Sequence, residues 1–237
     1  MNKQLFLISS SKCEGGSYLA HCAEAIKAFL GTMQPNEQIA FIPYALKDHD
    51  GYTKVAQAAF KAMGYNLTSV HRFKNPDNLI RNHLIKAVFV GGGNTFRLLS
   101  TLQEKGLVGL IRGCVEEKGI KYIGSSAGSN MACPTIKTTN DMPIVQPRAF
   151  NALRLINFQI NPHFVPGSLV PGHMGETREE RIKQFHEEND TPVIGLTETN
   201  WLTVDGEKTV LHGKKEAFVF ERGKELRMWP PETVLML

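Results

Sequence analysis

The chain has 237 residues, 42% of them hydrophobic, which is enough apolar material for a packed core and excludes wholesale disorder. Lysine and arginine total 27 against 23 acidic residues, a net charge of +4. The signs alternate along the chain, as in Lys214-Lys215-Glu216, and no basic stripe is interleaved with aromatics, so nucleic acid is not an expected partner. The longest apolar runs, Leu5–Ile8 and Ala87–Val90, are too short to span a bilayer or to serve as a secretory signal. The mature protein is therefore expected to begin near Met1 and to reside in the cytoplasm, with no membrane association. Cys13, Cys22, Cys114 and Cys133 lack C-x-x-C spacing and read as reduced, mostly buried thiols. The histidines offer neither H-E-x-x-H nor finger spacing, so no metal is expected.

Short apolar runs alternate with amphipathic segments through the first two thirds. Gln4–Ile8 reads as a buried strand, Tyr18–Leu30 as a helix, Gln38–Ile42 as a strand and Tyr52–Met63 as a helix stopped before Gly64. Asn66–Val70 follows, then a short helix after Pro76 and the strand Ala87–Val90, which runs into Gly91-Gly92-Gly93. Helices are expected at Thr95–Lys105 and Leu107–Lys118, and a strand at Lys121–Gly124. Strand and helix in alternation imply a doubly wound, mainly parallel sheet flanked by helices, an α/β fold. The proline-rich stretch from Pro134 to Pro171 reads as loops and short strands. A helix returns at Thr177–Glu187 and a strand at Val193–Leu196. Near the C-terminus Asp205-Gly206 forms a hairpin turn between Trp201–Val204 and Lys208–Leu211. No linker, repeat or low-complexity tract divides the chain, so a single α/β domain over 1–237 is the simplest organisation.

The strongest chemical signal is Gly124-x-Ser126-x-Gly128, directly after an apolar strand and before small, helix-compatible residues. A tight strand-to-helix turn needs small neighbours, so that Ser126 projects its hydroxyl from strained backbone while the next N–H, from Ala127, faces a developing oxyanion. A phosphate cradle or a plain glycine turn would use similar residues. The glycine loop Gly91–Gly93 ends a strand and could supply a second oxyanion N–H. It completes neither the Walker nor the dinucleotide pattern. A serine nucleophile needs a base. His163, at a strand end beside Pro162, is the first candidate, and His173, in a glycine-bearing loop, is the second. The acid that orients the base is either Glu198, two residues past the strand Val193–Leu196, or Asp141, in a proline-flanked loop.

These motifs together resemble the peptidase E family, cytoplasmic aspartyl dipeptidases related to cyanophycinases, with a fold like that of class I glutamine amidotransferases. The resemblance runs over nearly the whole chain. It is carried by Gly91-Gly-Gly-Asn-Thr95, Gly124-Ser-Ser-Ala-Gly-Ser-Asn130, Thr139-Asn-Asp-Met-Pro-Ile144, Gln159-Ile-Asn-Pro-His-Phe164 and Gly175-Glu-Thr-Arg-Glu-Glu-Arg181. It implies a Ser126–His163–Glu198 triad, with Asp141 as the rival acid, and oxyanion N–H groups from Gly92 and Ala127. It further implies hydrolysis of dipeptides with an N-terminal aspartate (Asp-X) through an acyl-enzyme, without a cofactor. Arg178 is the expected partner of the aspartyl carboxylate, because its fork meets a carboxylate bidentately. Glu176 is a candidate for the free amine, and the Pro166–Gly175 loop a candidate cover that excludes longer peptides. The chain departs from the family at Ser125, where relatives often carry a bulky aromatic. Two other readings stay open: a cyanophycinase-like or isoaspartyl peptidase, and a non-catalytic small-molecule-binding protein on the same scaffold. A glutamine amidotransferase is disfavoured because the elbow carries serine rather than cysteine. Monomer and homodimer are both compatible with the sequence.

Overall fold

A computed structural model describes residues 3–167 and 175–237. In chain order the elements are β1 (Gln4–Ile8), α1 (Ala23–Leu30), β2 (Gln38–Ile42), α2 (His49–Ala62), β3 (Leu67–Ser69) and α3 (Pro76–Arg81). Next come β4 (Ile85–Val90), α4 (Thr95–Glu104), α5 (Leu107–Glu116), β5 (Lys121–Ser125) and α6 (Ala127–Ala132). The remainder is β6 (Gln159–Pro162), α7 (Arg178–Glu188), β7 (Val193–Leu196), β8 (Trp201–Asp205), β9 (Lys208–His212), β10 (Ala217–Phe220) and β11 (Arg227–Trp229).

A seven-stranded sheet in the order β3-β2-β4-β5-β1-β8-β9 forms the centre. Its first five strands are mutually parallel, and the β8–β9 hairpin continues it antiparallel from β1. Because side chains alternate along a strand and both faces are covered, these strands are apolar throughout rather than alternating with polar residues. Leu5, Leu7, Ile42, Val88, Val90 and Tyr122 face the side packed by α4, α5 and α6. Phe6, Ile8, Phe41, Phe89 and Ile123 face the side packed by α1 and α2.

A second sheet, in the order β11-β10-β7-β6, is mixed: β6 and β7 run parallel, while β10 and β11 are antiparallel. Its Ile160, Ile194, Leu196 and Val219 join the main core. Its Val193 and Phe220 pack with Phe164 against Ile182 of α7. The fold is therefore α/β with a mainly parallel central sheet flanked by helices, and the expected C-terminal hairpin is β8–β9.

Two helix starts differ from expectation. The segment from Tyr18 is not helical at once: Leu19 has φ 60°, a short 3-10 turn covers Ala20–Cys22, and the α-helix begins at Ala23. By contrast α2 starts at His49, three residues early, because the Asp48 carboxylate caps it by accepting from the Gly51 N–H at 2.8 Å. No helix among the described residues is long and apolar enough to cross a membrane.

Candidate active site

The carboxyl ends of β1, β4, β5, β6 and β7 converge, and Ser9, Gly92, Ser126, His163 and Glu198 follow them in turn. Open α/β sheets collect their site residues at such ends. Ser126 joins β5 to α6 with φ 53° and ψ −109°, a conformation that non-glycine residues rarely adopt and that costs on the order of 1–3 kcal/mol. The surroundings hold it there. The Ser126 N–H donates to the Ile8 carbonyl at 2.9 Å, and the Ser129 hydroxyl spans the Ile8 and Gly124 carbonyls at 2.8 and 3.0 Å. The flanking glycines are a steric requirement. A Cβ on Gly124 would lie 2.5 Å from the Gly128 carbonyl oxygen, and one on Gly128 would lie 2.1 Å from that of Val90.

His163 follows β6, also at positive φ (53°), and turns its ring to Ser126. Ser126 Oγ lies 2.8 Å from His163 Nε2, and His163 Nδ1 lies 3.2 Å from Glu198 Oε1. Ser9, which no sequence motif marks, ties three strand ends together here. Its hydroxyl accepts the His163 N–H at 2.9 Å and donates to the Leu196 carbonyl at 2.7 Å. Of the two candidate acids, Glu198 is thus the one at the imidazole. The Asp141 carboxylate turns instead to the start of α4, where its Oδ2 accepts from the Thr95 N–H at 2.7 Å, the Thr95 hydroxyl at 2.5 Å and the Thr139 hydroxyl at 3.1 Å.

Asp141 nevertheless lines the same cleft as Ser126 and His163, a cavity of about 590 Å³ to which Gly92, Gly93, Tyr18 and Tyr52 also contribute. Gly92 sits close to the nucleophile: a Cβ on it would meet both the Ser125 carbonyl oxygen and Ser126 Cβ at 3.1 Å. As the first residue of α6, Ala127 has an N–H with no carbonyl inside its own helix. Gly91 is needed because the Tyr52 hydroxyl occupies the space above it, 2.3 Å from where a Cβ would stand.

Arg178 opens α7 and donates from Nη1 to Asn140 Oδ1 at 2.5 Å, while Asn140 Nδ2 donates to the Pro162 carbonyl at 2.7 Å, beside His163. Partial burial and neighbouring Arg181 pull the Arg178 pKa down, and nearby Asp141 pushes it up. Glu176 is not brought to the cleft. It accepts from Gln184 Nε2 at 2.6 Å, lies 3.8 Å from Arg181 Nε, and is exposed just before the Thr177 cap of α7. His173 and most of the Pro166–Gly175 loop lie outside the described residues. Ser125 is fully buried, and its hydroxyl has no partner among the described residues. No group of three or more His, Cys, Asp or Glu among the described residues is placed to hold a metal ion.

The pattern of peptidase family S51 matches residues 5–212. Peptidase E of Streptomyces coelicolor is 47% identical over 223 residues, covering 92% of this chain and 88% of that protein. A Drosophila melanogaster protein named "Probable alpha-aspartyl dipeptidase" is 40% identical over 219 residues, covering 92% and 90%. Among solved structures, a peptidase from an acI-B1 Actinobacterium superposes with a TM-score of 0.72 at 16% identity, covering 100% of this chain and 98% of that one, a likeness of fold. The match over most of its length and the two close relatives establish that this chain belongs to peptidase family S51.

Proposed function

We propose that this protein is a serine dipeptidase that hydrolyses Asp-X dipeptides in the cytoplasm, with Ser126 as nucleophile, His163 as general base and Glu198 as the carboxylate that orients it. The observation that carries this reading is the continuous chain from Ser126 Oγ to His163 Nε2 at 2.8 Å and from His163 Nδ1 to Glu198 Oε1 at 3.2 Å, with Ser126 and His163 lining the cleft. The substrate class is supported by the aspartyl dipeptidase named among the relatives.

His163 takes the Ser126 proton as Oγ attacks the scissile carbonyl, and the negative charge that forms on the carbonyl oxygen is met by the N–H groups of Gly92 and Ala127. The imidazolium, steadied by Glu198, then protonates the departing amine of residue X. Water, deprotonated by His163, attacks the aspartyl ester, and collapse of the second tetrahedral intermediate returns the proton to Ser126. Two carboxylate-linked demands remain. Arg178 pairs with the β-carboxylate of the substrate aspartate. The free α-ammonium falls to Asp141 rather than Glu176: Asp141 borders the cleft with only its Oδ2 engaged among the described residues, whereas Glu176 is committed to Gln184.

Competing Asp-Leu with Asn-Leu, which differ in one negative charge, tests the assignment on wild type and Arg178→Ala. The reading predicts that the variant loses most of its activity on Asp-Leu and little on Asn-Leu. An equal loss on both contradicts it.

A further inference from the structure

The two faces of the central sheet assign the two halves of the cleft. Asp141 binds the start of α4, on one face, whereas Tyr18 and Tyr52 belong to the opposite face with α1 and α2. Ser126 stands between them, just past the carboxyl end of β5. A dipeptide whose aspartyl half rests on the Asp141 and Arg178 flank therefore lays its second residue on the tyrosine flank.

That flank has a defined chemistry. The Tyr18 and Tyr52 hydroxyls lie 3.0 Å apart, one donating to the other, and the rings meet edge to face, so the flank combines aromatic carbon with a single O–H left to donate. Leu46 and Val55 border the same cavity and are 39% and 45% exposed, so they offer apolar surface for an apolar side chain to cover. Lys12 stands at the rim. Its backbone is fixed by a tight turn: the Ser10 hydroxyl donates to the Lys12 carbonyl at 2.6 Å and accepts the Lys12 N–H at 3.3 Å. The Leu19 N–H closes the loop onto the Ser11 carbonyl at 2.7 Å. Every aspartate and glutamate of the chain lies among the described residues, and none of them forms an ion pair with Lys12. Asp48, the carboxylate on this flank, is engaged through Oδ1 as the cap of α2.

We infer that this flank is the site for the leaving residue, an apolar X, and that Lys12 reads its free C-terminal carboxylate, so that length selection resides in a lysine as well as in the size of the cleft. This rests on the dipeptidase reading above. A third residue would move the carboxylate by about 3.5 Å and put an uncharged peptide group against the lysine.

The test compares kcat/KM for Asp-Leu and Asp-leucinamide, which share shape but not the terminal charge, on wild type, Lys12→Met and Lys12→Arg. A charge-assisted contact at an exposed site predicts that wild type prefers Asp-Leu by about tenfold, mostly through KM. Lys12→Met then loses that factor on Asp-Leu and keeps its rate on the amide, which also shows that it is folded, and Lys12→Arg restores the preference. Wild type that cleaves both substrates alike overturns the inference and leaves the dipeptidase reading intact, as does a Lys12→Met variant that keeps the full preference. Wild type that cleaves neither overturns both.

Discussion

Replacing Gly128 by alanine places one methyl group where the molecule has no room for it. The added Cβ would lie 2.1 Å from the Val90 carbonyl oxygen and 2.9 Å from its carbon, where contacts under 3.0 Å essentially never occur. Both sides of the clash are backbone, so no side chain can swing aside. Either α6 lifts or the end of β4 retreats, by about an ångström. Overpacking of this kind costs about 1–3 kcal/mol. For a chain of this size that is a fall in Tm of about 2–10 °C. The catalytic effect is larger, because Val90 leads into Gly91 and Gly92 while Gly128 is two residues past Ser126. A shift of that size separates the nucleophile from the proposed oxyanion donor and is expected to cost about 100-fold in kcat. Thermal denaturation and Asp-Leu hydrolysis on the same preparation measure both effects. Gly109→Ala is the matched control: it lies inside α5, its Cβ would meet nothing within 4 Å, and a helix-interior alanine should add about 0.5–1 kcal/mol without touching activity. If Gly128→Ala keeps wild-type Tm and turnover, the steric account of the elbow is wrong.

Glu198→Gln should lower kcat by about 100-fold or more and spare KM, less than the ~10⁴-fold expected of a buried orienting carboxylate, because the Glu198 side chain is 56% exposed. The same loss from Asp141→Asn with Glu198→Gln unaffected would reverse the two acids. Ser125→Ala removes a fully buried hydroxyl with no partner among the described residues, and calorimetry should show stabilisation of about 1 kcal/mol, with destabilisation refuting the view that this group is unsatisfied. Burial pushes the Cys22 and Cys133 thiols up to about 12 and also raises Cys114 and the more accessible Cys13. Since the thiolate is the nucleophile, iodoacetamide at pH 8 should yield a single slow adduct on Cys13 that forms faster as pH rises, whereas rapid modification of any buried thiol would contradict this order.

The central parallel sheet was legible because its strands are buried on both faces and read as unbroken apolar runs: Gln4–Ile8 and Gln38–Ile42 match their expected bounds. The second sheet was legible only in part. Its β7 matches at Val193–Leu196 and a strand end is expected before His163, but the extent of β6 is not marked by an apolar period, because Gln159 and Asn161 are buried polar side chains that bond to Thr135 and to Thr138 and Asn140 in the preceding loop. The elbow was visible from local spacing, since Gly124 is demanded by the Gly128 carbonyl within the same turn, although Gly128 itself is demanded by the Val90 carbonyl at the end of a neighbouring strand. The choice between Glu198 and Asp141 was not, because it depends on where loops distant in sequence come to rest. Ser9 escaped notice for the same reason: its bonds reach His163 and Leu196, 154 and 187 residues away. Glu176 was drawn in by its motif, but its position beside the first turn of α7 turns it to Arg181 and Gln184.

The most direct measurement is the release of leucine from Asp-Leu by wild type and Ser126→Ala, with Glu-Leu and Ala-Leu alongside. The account predicts that wild type cleaves Asp-Leu in strong preference to the other two and that Ser126→Ala falls by at least about 10³-fold. A variant that retains the wild-type rate, or a wild type indifferent to the aspartate, would contradict it.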